Sequence, residues 1–251
     1  MARFPCAGRT ALVTGGAKRI GRHIALACGR EGMNVVVHYH RSRQEAQLLV
    51  QELTVEKITA WAVGGALDTS EMCDKLIRTA SSLCGNSLWL LVNNASMFPA
   101  RSLDKVSFGD LAASVRVNAW APLCLSRAFA ETARPGGSIV NLLDARIAGY
   151  DKSHVAYILS KHLFAAITRQ CAIEFAPRIR VNAVAPGLIL PPAGKTEAYL
   201  NKLKNTVPLR MHGRPEDLAA AVVFLAKSPF VTGETIFVDG GKHLLAHNTG
   251  F

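Results

Sequence analysis

Asp144 and Tyr157 stand thirteen residues apart, and Lys161 follows the tyrosine at i+4. On a helix, side chains at i and i+4 leave the same face with Cβ atoms roughly 5–6 Å apart. The lysine charge can then hold the phenol ready for proton transfer. An ordinary tyrosine titrates at about pH 10, so it needs a neighbouring positive charge to move protons efficiently near neutrality. Asp144 narrows the chemistry. A ketone is polarised by neutral donors, such as a serine hydroxyl beside the tyrosine, whereas an ionised carboxylate presents acceptors only. It suits a substrate carrying N–H donors and a ring nitrogen that awaits a proton. The simpler role for Asp144 is to cap the turn after a strand, where Asp is common.

The Tyr-x-x-x-Lys pair gains meaning from a nucleotide-binding turn near the start. Thr14-Gly15-Gly16-Ala17-Lys18-Arg19-Ile20-Gly21 lies between a strand pattern and a helix pattern. Glycines there let the backbone approach a pyrophosphate, and the helix N-terminus favours its charge. The second strand ends in His38-Tyr39-His40-Arg41-Ser42, with no carboxylate. An acidic residue at this place holds the ribose hydroxyls of NAD and would repel a 2′-phosphate. Arginine and histidine can donate to that phosphate, so NADPH is expected over NADH. A metal reading of His38 and His40 finds no third ligand.

These groups need a scaffold, and the hydrophobic pattern supplies one. Apolar, β-branched runs predict seven strands near residues 10–14, 34–39, 58–63, 88–92, 138–143, 180–185 and 235–238. Helices are expected near 20–31, 42–53, 70–83, 108–132, from the Tyr157 segment to about 175, at 196–205 and at 215–226. Strict alternation predicts an α/β Rossmann-type fold, a doubly wound parallel sheet with helices on both faces and its ligand at the carboxyl ends of the strands. The 251 residues, 49% hydrophobic and 19% charged, suit a single domain spanning 1–251. Apolar runs such as 88–92 fall far short of the ~18 residues of a membrane span. The first nine residues are too polar for a signal-peptide core, so the expected location is the cytoplasm, with no membrane partner. The six cysteines form no Cys-x-x-Cys pair and read as small buried apolar residues. A net charge of +11 raises nucleic acid as a partner, but the basic residues are dispersed, with no aromatic platform among them. An anionic small ligand accounts better for the cluster Lys18, Arg19, Arg22, His38, His40, Arg41 and Arg43, so no nucleic-acid partner is expected.

The whole set resembles the short-chain dehydrogenase/reductase family: the glycine turn, Asn93-Asn94-Ala95, Asn118, Tyr157 with Lys161, Pro186-Gly187, and Val238-Asp239-Gly240-Gly241. That resemblance covers nearly the whole chain. It implies that Asn118 bends its helix and holds a water in a proton relay through Lys161, that Leu67 and Asp68 contact adenine, and that Gly15, Ile20, Asn94, Ala95, Pro186, Gly187 and Leu188 line the cofactor cleft. Two departures stand out, Asp144 for the usual serine and Arg19 for the middle glycine. With His38 to Ser42 and Asn94-Ala95-Ser96-Met97-Phe98, they resemble the pteridine reductases, including dihydromonapterin reductases.

This narrower likeness implies a pterin or folate substrate, reduced from its dihydro to its tetrahydro form. Asp144 and Tyr157 would feed a proton to the ring nitrogen, and Lys161 would anchor the nicotinamide ribose. Phe98 would sandwich the heterocycle against the nicotinamide, while Ser96 and Arg19 would supply polar contacts. Phe98 could instead simply plug the sheet edge, and Arg19 could serve phosphate alone. A carbonyl reductase of the same family and a silent cofactor-binding regulator are the alternatives. Relatives imply a homotetramer.

Overall fold

The computed structural model describes residues 6–133, 135–192 and 194–247. Seven parallel strands form one sheet: β1 (Thr10–Val13), β2 (Asn34–Tyr39), β3 (Ala60–Gly64), β4 (Leu88–Asn93), β5 (Gly137–Leu142), β6 (Ile179–Pro186) and β7 (Thr235–Val238), in the order β3-β2-β1-β4-β5-β6-β7. The helices are α1 (Arg19–Arg30), α2 (Arg43–Val55), α3 (Ser70–Leu83), α4 (Phe108–Val115), α5 (Ala121–Thr132), α6 (Val155–Glu174), α7 (Glu197–Leu203) and α8 (Pro215–Lys227). The doubly wound fold expected from the sequence is the observed one.

Strand periodicity explains the two-layer cover. Val35 and Val37 face a core built with Ile24 of α1, Leu49 and Leu53 of α2 and Val222 of α8. Between them, Val36 points the other way, into a core with Ile77 of α3 and Leu125 and Phe129 of α5. Such strands are buried on both faces, which is why they read as continuous apolar runs. Each large side chain fully buried in these layers contributes about 1.5–3 kcal/mol of transfer free energy. The chain leaves β1 in one direction for β2 and β3 and in the other for β4 to β7, so the topological switch lies between the carboxyl ends of β1 and β4.

The expected long helix at 108–132 is two helices separated by a π-turn at Arg116–Trp120. Pro122 is the physical reason. It has no N–H to give the carbonyl of Asn118, and its ring would crowd that carbonyl in a regular helix. The Ala121 N–H instead reaches back five residues to Arg116. The turn carries Asn118 into the core beneath the site. Two short 3₁₀ turns, Ala145–Ala148 and Lys242–His247, also escape the sequence reading, and most other boundaries shift by one or two residues. No described helix is long and apolar enough to cross a membrane.

Candidate active site

The strand ends at the switch are stitched together by Thr14 and Asn94. Thr14 Oγ1 accepts the N–H groups of Asn94 and Ala95 at 2.9 and 3.0 Å. Asn94 Nδ2 donates to the carbonyls of Thr14 and Gly15 at 2.8 and 3.1 Å. Gly15 has φ +59°, and a Cβ there would lie 3.1 Å from Ala95 Cα, so only glycine fits without strain. At Gly21 a Cβ would meet the Gly15 carbonyl at 2.4 Å. This cradle has the close-approach geometry that a dinucleotide pyrophosphate requires.

Arg19 occupies the left-handed region at φ +55°, which explains why glycine is the ordinary choice at this position; an L-residue there costs about 1 kcal/mol. Its guanidinium donates to the Pro191 carbonyl at 2.8 Å and, with Ile20, lines the main cleft. Lys18 is exposed and sits 3.7 Å from Glu45, while Arg22 is paired with Glu52, so the expected basic cluster is partly neutralised.

Past β2, His40 and Arg41 are exposed, and Ser42 stands at the N-cap of α2 with its hydroxyl making no capping bond. That donor set, with no carboxylate among residues 38–42, fits a 2′-phosphate. Tyr39 packs over Gly64, where a Cβ would touch its ring at 2.7 Å. Leu67 packs into the core and Asp68 is exposed; both lie just before α3 and outside the main cleft.

His38 departs from expectation. It is buried, and both ring nitrogens are used by the protein. Nδ1 accepts the Gly15 N–H at 3.2 Å, which leaves Nε2–H to donate to the Gly65 carbonyl at 3.0 Å. His38 therefore braces the glycine turn and does not face a phosphate. Burial pulls its pKa down to about 4, from an ordinary value of 6.5. The unfolded chain takes up this proton first, so stability is full above pH 6.5 and falls as the pH drops from 6.5 to 4. A shift of this size corresponds to a loss of roughly 3 kcal/mol. In His38→Asn, denaturant unfolding followed over that pH range is expected to lose this slope.

The catalytic candidates converge on the other wall. Tyr157 is buried on α6, and its hydroxyl donates to Asp144 Oδ2 at 2.8 Å. Asp144 Oδ1 accepts the Arg146 N–H at 2.8 Å and so caps the 3₁₀ turn, while Oδ2 holds the phenol, so one carboxylate makes both bonds. Burial, and then the Asp144 charge, raise the Tyr157 pKa well above its usual value. The expected opposing pull of the lysine does not prevail. Lys161 Nζ lies 5.8 Å from the centre of the Tyr157 ring and donates to the Leu142 carbonyl at 2.7 Å, with burial lowering its own pKa to about 8. The phenol is thus held protonated, as a donor.

The Asn118 side chain is fully engaged within the protein. Its Oδ1 accepts from Ser96 Oγ at 3.0 Å and from the Met97 N–H at 2.9 Å, and its Nδ2 donates to the Met97 carbonyl and Ser160 Oγ, each at 3.0 Å. A side-chain amide has two donors and two acceptor sites, and all are spent. The side chain positions the 94–98 loop against α6, the expected bend lies at this residue, and its carbonyl lacks an i+4 N–H because Pro122 stands there. That loop carries Phe98, 43% exposed, stacked on His154 at 4.0 Å between ring centres and edge-on to Tyr157 at 4.5 Å. Asp151 holds both His154 Nδ1, at 2.9 Å, and Arg146, at 2.8 Å.

Opposite, Pro186, Gly187 and Leu188 line the cleft. Gly187 is forced by the packing of the last strand, because a Cβ would lie 2.5 Å from Asp239. The cavity between these walls measures about 630 Å³ and brings Arg19, Asn94, Ser96, Phe98, Asp144, Tyr157, Lys161 and Gly187 together. Arg146, Tyr150, Tyr199, Lys242 and His243 also line it, and sequence reasoning missed them. Arg146 alone had a usable signal, standing two residues beyond Asp144.

Comparisons with known proteins agree with this architecture. A family model described as enoyl-(acyl carrier protein) reductase matches residues 15–243. The 3-oxoacyl-[acyl-carrier-protein] reductase FabG of Staphylococcus aureus strain Mu50 is 32% identical over 245 residues, 94% of this chain and 98% of that protein. Among solved structures, FolM alternative dihydrofolate reductase 1 from Brucella canis, complexed with NADP, superposes with a TM-score of 0.91 at 30% identity, covering 97% of both chains. A blue fluorescent protein from a metagenomic library, in complex with NADPH, gives 0.87 at 30% identity, covering 95% of this chain and 99% of that one. By sequence across almost its full length and by the fold that sets its cleft, the chain belongs to the short-chain dehydrogenase/reductase family.

Proposed function

We propose that this oxidoreductase is an NADPH-dependent pteridine reductase, taking a dihydropterin or dihydrofolate to the tetrahydro form. The observation that carries the reading is the Tyr157 hydroxyl donating to Asp144 in a cleft walled by Phe98. When bound, NADPH supplies the hydride. Gly15, Arg19, His40, Arg41 and Ser42 are the groups that would hold its phosphates, and Lys161 stands ready for its ribose. The Asp144 carboxylate offers acceptors to the N–H groups of a pterin ring. Tyr157 holds the proton destined for the ring nitrogen beside the reduced carbon, and its raised pKa keeps that proton in place at neutral pH. A cavity of about 630 Å³ is of the size that takes a flat heterocycle beside a nicotinamide. The likeness to FolM supports this reading.

A second reading, 3-oxoacyl reduction, is favoured by the identity with FabG. Against it, a carbonyl oxygen needs two neutral donors, and Asp144 provides acceptors where the second donor would stand. Loss of NADPH absorbance with dihydrobiopterin and dihydrofolate, set against a panel of ketones and a 3-oxoacyl thioester, separates the two. Turnover of the pterins is the expected result, and turnover of ketones alone would remove the pterin assignment. The same reading includes a cytoplasmic location and a homotetramer, the latter supported by the exposed apolar residues Phe108 and Trp120 along the α4–α5 segment and Leu159, Leu163 and Ile173 on α6.

A further inference from the structure

The floor of the cleft accounts for a heterocycle, but its mouth carries charge that the ring chemistry does not use. Arg146 and Lys242 both line the cavity. They sit on the two 3₁₀ turns, Ala145–Ala148 and Lys242–His247, which pack against each other at the edge away from the end of β2. The Arg146 side chain remains 42% exposed despite its contact with Asp151, and its guanidinium lies 5.3 Å from the centre of the Phe98 ring. Lys242 is exposed and donates to Thr206 Oγ1 at 3.2 Å, with no carboxylate partner among the described residues. Asp144 is the one carboxylate lining the cavity among the described residues, and it is already engaged by the phenol and the Arg146 N–H. Tyr150 adds an exposed ring at the same mouth.

We infer that Arg146 and Lys242 form a subsite for an anionic group, a carboxylate or a phosphate, on the side chain of the heterocyclic substrate; the inference rests on the pterin reading above. A guanidinium can hold either group through two parallel N–H bonds, and an ammonium adds a point charge. Half-exposed pairs of this kind are each worth a factor of a few in binding. Together they favour an acidic tail over a neutral polyol by about tenfold.

The test compares kcat/KM for dihydrofolate, a phosphate-tailed dihydropterin and neutral-tailed dihydrobiopterin in wild type, Arg146→Gln, Lys242→Gln and the double variant. The ratio of an acidic-tailed to the neutral-tailed substrate is expected to fall about tenfold in the double variant. Arg146→Lys should recover part of the loss, and raising the salt should erode the wild-type ratio but not that of the double variant. Whether the carboxylate or the phosphate substrate responds identifies the tail. An unchanged ratio for both acidic substrates would overturn the subsite, as would an equal rise in KM for NADPH, which would assign the two cations to the cofactor. Lys242→Gln, an exposed substitution, keeps the test decisive if the Arg146 variant folds poorly. A wild-type enzyme that reduces no pterin at all would instead defeat the functional reading itself.

Discussion

Asp144→Ser is expected to lower kcat/KM for a dihydropterin by about 100- to 1,000-fold and to raise turnover of simple ketones. The carboxylate presents acceptors to both the phenol and the ring N–H groups, and hydrogen bonds to a charged group contribute about 1.5–3 kcal/mol each. Losing two of them near the low end of that range, about 3–4 kcal/mol because the smaller hydroxyl replaces part of each, gives the stated 100- to 1,000-fold. Serine is the informative replacement because it also caps a helical turn well, so the bond now made by the Arg146 N–H has a substitute and the fold persists. It also restores a second neutral donor beside Tyr157, the arrangement that a carbonyl oxygen prefers. Removing the neighbouring negative charge should lower the Tyr157 pKa as well, since Asp144 is the largest contributor to its rise after burial. Steady-state kinetics on both substrate classes, with a spectroscopic titration of the phenol, check the two effects together. Undiminished pterin turnover would show that Asp144 only caps its turn.

The fold was largely legible because its signals are local. β2, α3 and β7 lie where apolar runs and turn residues put them, and the centre of β2, Val35 to Val37, is apolar because both of its faces are buried. The break at Asn118 had a signal too, Pro122, whose missing N–H removes the bond to the Asn118 carbonyl and disfavours a regular helix there. The site was legible to the level of residue type and illegible to the level of partner. His38 looked like a phosphate donor among other polar residues. Only the three-dimensional return of the Gly15 and Gly65 backbones reveals that its nitrogens are spent.

The electrostatics of Tyr157 show the same limit. Helical spacing correctly placed Lys161 on its face, yet spacing carries no information on burial, and burial together with Asp144 decides the direction of the shift. The contacts of Phe98, which follows β4, with His154 and Arg146, which follow β5, bring together loops that follow different strands. No periodicity encodes such a meeting, because it depends on how two connections fold over the same sheet edge.

Tyr157→Phe should reduce turnover by about 1,000-fold while the dissociation constant for NADPH stays within about threefold of wild type. General acid catalysis by a positioned side chain is worth about 100- to 10,000-fold, and the phenol is the protonated donor facing the reacting ring. Phenylalanine keeps the ring volume, so the edge-on contact with Phe98 at 4.5 Å and the packing of α6 survive. What disappears is the hydroxyl, leaving Asp144 Oδ2 without its 2.8 Å donor. Because Asp144 is only half-buried, water can replace that donor, and the stability cost should be near 1 kcal/mol. Lys161 keeps its bond to the Leu142 carbonyl, and the cradle of Thr14, Gly15 and Asn94 is untouched, which is why cofactor affinity should hold. Fluorescence titration with NADPH alongside turnover measures both quantities on one preparation. A protein that only binds cofactor and signals its presence would be indifferent to the loss of this one oxygen, so retention of full function in the variant would remove the enzymatic reading, whereas parallel loss of turnover and NADPH affinity would mean that the phenol holds the cofactor instead of donating its proton.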